Sequence, residues 1–210
     1  MKNKLLLLIS AYFLIMILGL ISCVKCGPFP NKFKLTSLEC NNYSAVYSES
    51  GETKLVLSEI ENDTVVYDKY SILIIPHSET YFSMISRTNS FNIINSAYAC
   101  SPVTPTTDER IDSIKIICDK AFDTNHPIGT DLAGLFDIVI VDPMNNIYYE
   151  KFDLSEYVKT NPTRAIEMVL ILKSPPDLTS DFEFMIKYYQ EGIDYDYFEF
   201  KTKNIVIKNE

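Results

Sequence analysis

From Phe33 onward the chain alternates apolar and polar residues with period two, and clusters of Gly, Pro, Asn, Asp and Ser interrupt the alternation. That is the pattern of half-buried strands separated by turns. It predicts strands at 32–38, 43–48, 54–60, 71–75, 81–87, 91–98, 113–118, 136–141, 147–152, 166–173, 182–189 and 198–208. Two of these, Phe136-Asp137-Ile138-Val139-Ile140-Val141 and Met168-Val169-Leu170-Ile171-Leu172, are apolar at both parities, as in central strands covered on two sides. The clearest hairpin joins the last two strands. Phe182, Phe184, Ile186 and Tyr188 share one face, Glu183, Lys187 and Tyr189 the other, and Gln190-Glu191-Gly192 supplies the turn. Helix is scarce. Asp153 can cap two turns that stop before Asn161-Pro162, and residues 131–135 suit one more turn. The expected fold is all-β: an immunoglobulin-like or related antiparallel β-sandwich with one or two short helical turns, a single domain over 33–210. The Pro- and Thr-rich stretch 101–107 reads as a long exposed loop.

The first 22 residues follow a different logic. Lys2 and Lys4 precede an almost unbroken apolar run from Leu5 to Ile21, the layout of an export signal. The run is barely long enough to span a bilayer, and no basic cluster follows it. Instead Leu20-Ile21-Ser22-Cys23 resembles the lipobox of bacterial lipoproteins. That resemblance implies cleavage before Cys23 and acylation of its thiol, with residues 23–32 as a lipidated cysteine and tether. Two or three acyl chains, at ~0.8 kcal/mol per buried methylene, hold a protein where one chain would not. Lipoproteins of the Bacteroidetes exported to the surface carry an acidic stretch after the cysteine. Val24 and Lys25 depart from it, so the expectation is an outer-membrane lipoprotein facing the periplasm.

Assigning Cys23 to lipid also resolves the odd count of five cysteines. Cys26, Cys40, Cys100 and Cys118 remain, an even number in an oxidising compartment. Four cysteines allow three pairings; Cys26–Cys40 with Cys100–Cys118 is favoured because each closes a local loop.

Composition adds limits on function. The 210 residues carry a formal charge of −9, which argues against nucleic-acid binding, since that needs a basic face. His77 and His126 are the two histidines, and neither lies in a Gly-x-Ser-x-Gly, Ser-x-x-Lys or His-Glu-x-x-His motif. Residues 123–131 form a polar, ligand-like loop, yet Pro127 and Ile128 break an EF-hand pattern. Turn chemistry explains that loop without a metal. Asp194 and Asp196 are expected on one exposed strand face, too solvated for acid catalysis. No catalytic residue, metal or cofactor is therefore expected. Fourteen tyrosines with no tryptophan leave one ligand hypothesis, a platform of Tyr189, Tyr195 and Tyr197 for a glycan or an envelope protein. β-propensity alone also accounts for strand tyrosines. Asp63-Thr64-Val65 and Asp112-Ser113-Ile114 resemble the site of O-glycan attachment in exported Bacteroidetes proteins.

The order of these parts is similar to an uncharacterised family of Bacteroidales lipoproteins about 200 residues long. The parts are the lipobox, Ala97-Tyr98-Ala99-Cys100-Ser101-Pro102, Asp112-Ser113-Ile114-Lys115-Ile116, Pro176-Asp177, Phe182-Glu183-Phe184 and Gly192. The resemblance implies a β-sandwich in the bacterial envelope and brings no activity. A lipid-anchored, non-catalytic binding or structural module is the leading expectation. A carbohydrate-binding module and an envelope hydrolase are the alternatives.

Overall fold

Residues 12, 32–48, 54–82, 105–142, 147–160, 162–163, 167–192, 194 and 196–210 are described by a computed structural model. In chain order they form β1 (Lys32–Ser48), β2 (Lys54–Ser58), β3 (Thr64–Val66), β4 (Tyr70–Tyr81), β5 (Arg110–Cys118), β6 (Phe136–Asp142), β7 (Ile147–Asp153), helix α1 (Leu154–Lys159), β8 (Glu167–Leu172), β9 (Ser180–Phe182), β10 (Phe184–Glu191), β11 (Tyr197–Lys201) and β12 (Ile205–Lys208). The expected all-β architecture is present. Two compact units divide the chain, Met1–Phe33 with Thr80–Thr106, and Lys34–Glu79 with Thr107–Glu210. In the first, Lys32 bridges Thr106 in parallel and the Phe33 N–H donates to the Thr106 carbonyl at 3.0 Å.

The second unit holds three sheets, ordered β2-β1-β4-β8-β6-β7, β11-β10-β5 and β3-β12-β9. β12 runs parallel to β3 and antiparallel to β9. The two runs that are apolar at both parities become β6 and β8, interior strands of the large sheet, as the pattern predicts. Their alternate residues feed two cores. Phe136, Ile138, Met168, Leu170 and Leu172 join Tyr70, Ile72 and Ile74 of β4 against the apolar faces of the small sheets. Val139, Val141, Val169 and Ile171 meet Ala45, Leu55 and Leu73 on the opposite face. The first core is the sandwich interior. Phe184 of β10 stacks on Tyr70 at 5.5 Å and meets Phe136 edge-on at 6.0 Å, so three rings tie two sheets together.

The large sheet curls. Lys151 of β7 lies 6.0 Å from the ring centroid of Tyr47 on β1, with β4, β8 and β6 between those strands in sheet order. A flat sheet would hold β1 and β7 roughly 19 Å apart at the usual strand spacing. The strands must wrap around the second core until β7 nears β1.

Several element boundaries differ from the pattern, each for a local reason. The expected strands at 32–38 and 43–48 fuse into β1, because the Asn42 amide is clasped by the Lys203 carbonyl and the Tyr70 hydroxyl, and Cys40 packs against the core. The expected strand at 198–208 breaks at Thr202. Its hydroxyl accepts the Phe184 N–H at 3.0 Å and its own N–H returns to the Phe184 carbonyl, so β12 departs into another sheet. β10 continues through Glu191, which moves the turn to the residues between Glu191 and Tyr197. Asp194 and Asp196 therefore lie in that turn, and the expected shared strand face does not form. The expected helix stands as α1, with the Asp153 carboxylate accepting the Glu156 N–H. The expected strand at 91–98 lies outside the described residues.

Candidate functional site

The tyrosines at issue sit on the β10–β11 hairpin. Phe184, Ile186 and Tyr188 turn into the core, so Met185, Lys187 and Tyr189 must face outward. The pairing places Tyr189 opposite Tyr197, Lys187 opposite Glu199 and Met185 opposite Lys201. β5 adds Ser113 beside Tyr189 and Lys115 beside Lys187. The outer face of this sheet is thus a patch of two tyrosines, lysines, one glutamate and a methionine.

The two rings lie 4.9 Å apart between centroids, tilted by 38°, and Lys115 sits 5.8 Å from the Tyr189 centroid. Tyr189 is half-buried, and Tyr197 is 40% exposed. The Tyr197 hydroxyl donates to the Glu199 carboxylate, and Lys187 reaches the same carboxylate at 3.6 Å. That hydrogen bond pushes the Tyr197 phenol up to about 12 and lowers the Glu199 carboxyl. Tyr197 is accordingly a neutral hydrogen-bond donor with its ring face available. Aromatic faces beside charged hydrogen-bonding groups suit a ligand with one apolar and one polar aspect. The structure brings Tyr189 and Tyr197 together; Tyr195 lies outside the described residues.

Behind the platform is a group that the sequence reading passed over. Glu109 is 1% exposed, and both its carboxylate oxygens accept the Leu35 N–H at 2.9 Å. It also receives Gln190 Nε2 at 3.3 Å, the residue next to Tyr189. The carboxylate thereby joins the start of β1 to the end of β10. Thr107, whose hydroxyl accepts the Glu109 N–H, gives a Thr-x-Glu signal too common to single out.

The remaining candidates are dispersed. Cys40 and Cys118, each expected in a disulfide, are instead free thiols, and burial pushes them up to about 12 and about 11. Cys23, Cys26 and Cys100 lie outside the described residues. His77 is exposed, with Nε2 3.4 Å from Glu39. His126 places Nδ1 2.8 Å from both Asp123 oxygens. Desolvation alone would raise the Asp123 carboxyl, but His126 and the N–H groups of Asn125 and His126 outweigh it and hold it low. Elsewhere in the 123–131 loop, Asp131 accepts the N–H groups of Ile116 and Ala133. Both carboxylates are therefore engaged in shaping the turn. No group of three or more metal-ligating side chains forms among the described residues. Thr64 and Ser113, of the two Asp-Ser/Thr-apolar tripeptides, sit half-buried on strands. No helix among the described residues is long and apolar enough to cross a membrane.

Comparison with family models matches residues 58–191 to the domain of unknown function DUF5034. The chain belongs to the DUF5034 family. The matched segment carries β5 and β10, two of the three strands that build the tyrosine face. No curated protein matches this DUF5034 chain. Two solved structures do: "BspA_C_WT" (13% identity, 82% of this chain and 51% of that one, TM-score 0.23) and "BspA_C_mut" (13%, 82%, 47%, TM-score 0.22). The chain spans about half the length of each, and similarity at that level bears on neither fold nor activity.

Proposed function

We propose that this DUF5034 protein is a lipid-anchored, non-catalytic binding module of the bacterial envelope, held to the outer membrane through Cys23 on its periplasmic face. Its ligand is engaged on the outer face of the β11-β10-β5 sheet. The observation that carries this reading is the Tyr189–Tyr197 ring pair, side by side on a solvent face and flanked by Lys115, Lys187 and Glu199. Such a face suits a carbohydrate: ring faces take the apolar side of a sugar, and the charged groups take its hydroxyls. An envelope protein edge is the second class of ligand for the same face.

The test is titration of the soluble domain, residues 27–210, with cello-, xylo- and chito-oligosaccharides, compared with its Tyr197→Ala and Tyr189→Ala variants. Saturable binding that each variant weakens about tenfold supports the platform, in line with a stacking contact of ~1 kcal/mol or more. Binding that both variants retain would move the ligand elsewhere. The anchor has its own measurement, intact mass from the native membrane. A chain beginning at Cys23 with added acyl mass supports it, and an unprocessed N-terminus ends it.

A further inference from the structure

A second concavity lies away from the tyrosine face. The middle of β1, the loop after β2 and the β11–β12 connection enclose a cleft of about 320 Å³. That is near the lower end for small-molecule sites. Its wall is polar and its chemistry is uneven. Asn42 is fixed in place, donating to the Lys203 carbonyl at 2.8 Å and accepting from the Tyr70 hydroxyl at 3.0 Å. Asn41 donates to Glu39 at 2.8 Å, which orients its amide as well. Glu59 and Asp63, both exposed, bring two carboxylates, and Lys203 brings one cation. Ile60 supplies an apolar floor and packs against the main core.

The loop presenting Asp63 is held in an unusual backbone. Asn62 and Asp63 have φ of 56° and 49°, a left-handed conformation that residues other than glycine adopt uncommonly, and the Thr64 hydroxyl bonds back to the Asn62 carbonyl. Asn and Asp tolerate this geometry best, so Asp63→Asn is a substitution the backbone accepts.

We infer that this cleft is a binding site for a sugar unit bearing a free amine. Two carboxylates against one ammonium disfavour an anionic ligand. An amine placed between Glu59 and Asp63 forms charge-assisted hydrogen bonds, about twice as strong as those of a neutral hydroxyl. The fixed amides of Asn41 and Asn42 and the Lys203 ammonium then face the ring hydroxyls, and the Ile60 floor meets the carbon face of the ring. The site is independent of the tyrosine platform, and either can fail without the other.

The experiment is a backbone-amide NMR titration of the domain with glucosamine, N-acetylglucosamine and ethanolamine. The expected result is a saturable shift with glucosamine, confined to residues 41–43, 59–64 and 203–205. N-acetylglucosamine binds at least tenfold more weakly and ethanolamine does not saturate. Glu59→Gln and Asp63→Asn each weaken glucosamine about tenfold while the rest of the spectrum stays unchanged, and Tyr197→Ala leaves the affinity as it was. Absence of saturation with glucosamine overturns the site. Equal binding of N-acetylglucosamine overturns recognition of the amine, and ethanolamine binding as tightly as glucosamine reduces it to a cation effect.

Discussion

At the residue scale the side chains that matter most are those whose chemistry is already committed. Glu109 is a buried carboxylate that receives a backbone N–H, a hydroxyl and a side-chain amide. Removing it leaves the Leu35 N–H buried without its acceptor, and a lost partner of that kind costs about 1–3 kcal/mol. Glu109→Ala should lower the urea midpoint accordingly with the slope unchanged. A variant as stable as the parent would show that this carboxylate holds nothing together. Cys40 and Cys118 make a second case. Burial favours the neutral thiol over the reactive thiolate, so alkylation of the folded, reduced protein at pH 8 should run far slower than that of the urea-unfolded chain. Labelling as fast in the fold as in urea would place both thiols at the surface. Tyr197, in contrast, owes its high pKa to a surface hydrogen bond from which the ring itself stays accessible.

At the element scale, α1 shows how a short motif sets structure. Six residues form a marginal helix on their own, and Asp153 serves it twice, capping the Glu156 N–H at 3.1 Å and receiving Lys173 at 2.6 Å. Asp153→Ala should cost about 1 kcal/mol in urea denaturation, and Asp153→Asn, which keeps a capping oxygen, less. Equal losses from both would assign the effect to the Lys173 pair. Local signals of this type were legible: the Asp153 cap, the alternation of β10, and the two-sided apolarity of β6 and β8 all appear in the fold. What the chain did not disclose depends on distant partners. Glu39 to Asn42 reads as a strand break, yet Lys203 and Tyr70 hold it in β1, and Thr202 ends β11 through a bond to Phe184. Of the candidate site, the facing of Tyr189 was readable from parity. Its pairing with Tyr197 followed from the register, whereas the cleft brings Asn42 and Asp63 together with Lys203, which follows Asp63 by 140 residues, and leaves no mark in either segment.

At the scale of the whole molecule, stability should fall at both ends of the pH range for different physical reasons. Asp153 is held below its ordinary range by Lys173, Asp181 at about 2 by Lys120 and Asn204, and Glu199 by Tyr197. A carboxyl depressed in the fold stabilises it above the unfolded pKa, near 4, and that contribution is lost as pH falls through the folded value. Cys40 and Cys118 act in the opposite sense. Their folded pKa values exceed the unfolded value near 8.5, so their contribution is complete below about pH 8 and declines as pH climbs toward 11–12. The urea midpoint should therefore be flat from about pH 5 to 8 and fall on either side. Salt separates the two limbs. The acid limb rests on exposed ion pairs and hydrogen bonds, which about 1 M salt screens to a Debye length of ~3 Å, so it should flatten. Up to about pH 10 the alkaline limb rests on desolvation of buried thiols, which salt does not reach, so there it should keep its slope; above that, lysines raised by exposed carboxylate partners, Lys120 and Lys201, add a part that salt weakens. Cys40→Ala should shrink the alkaline limb without touching the acid one. An acid limb insensitive to salt would mean that these surface pairs do not govern acid unfolding.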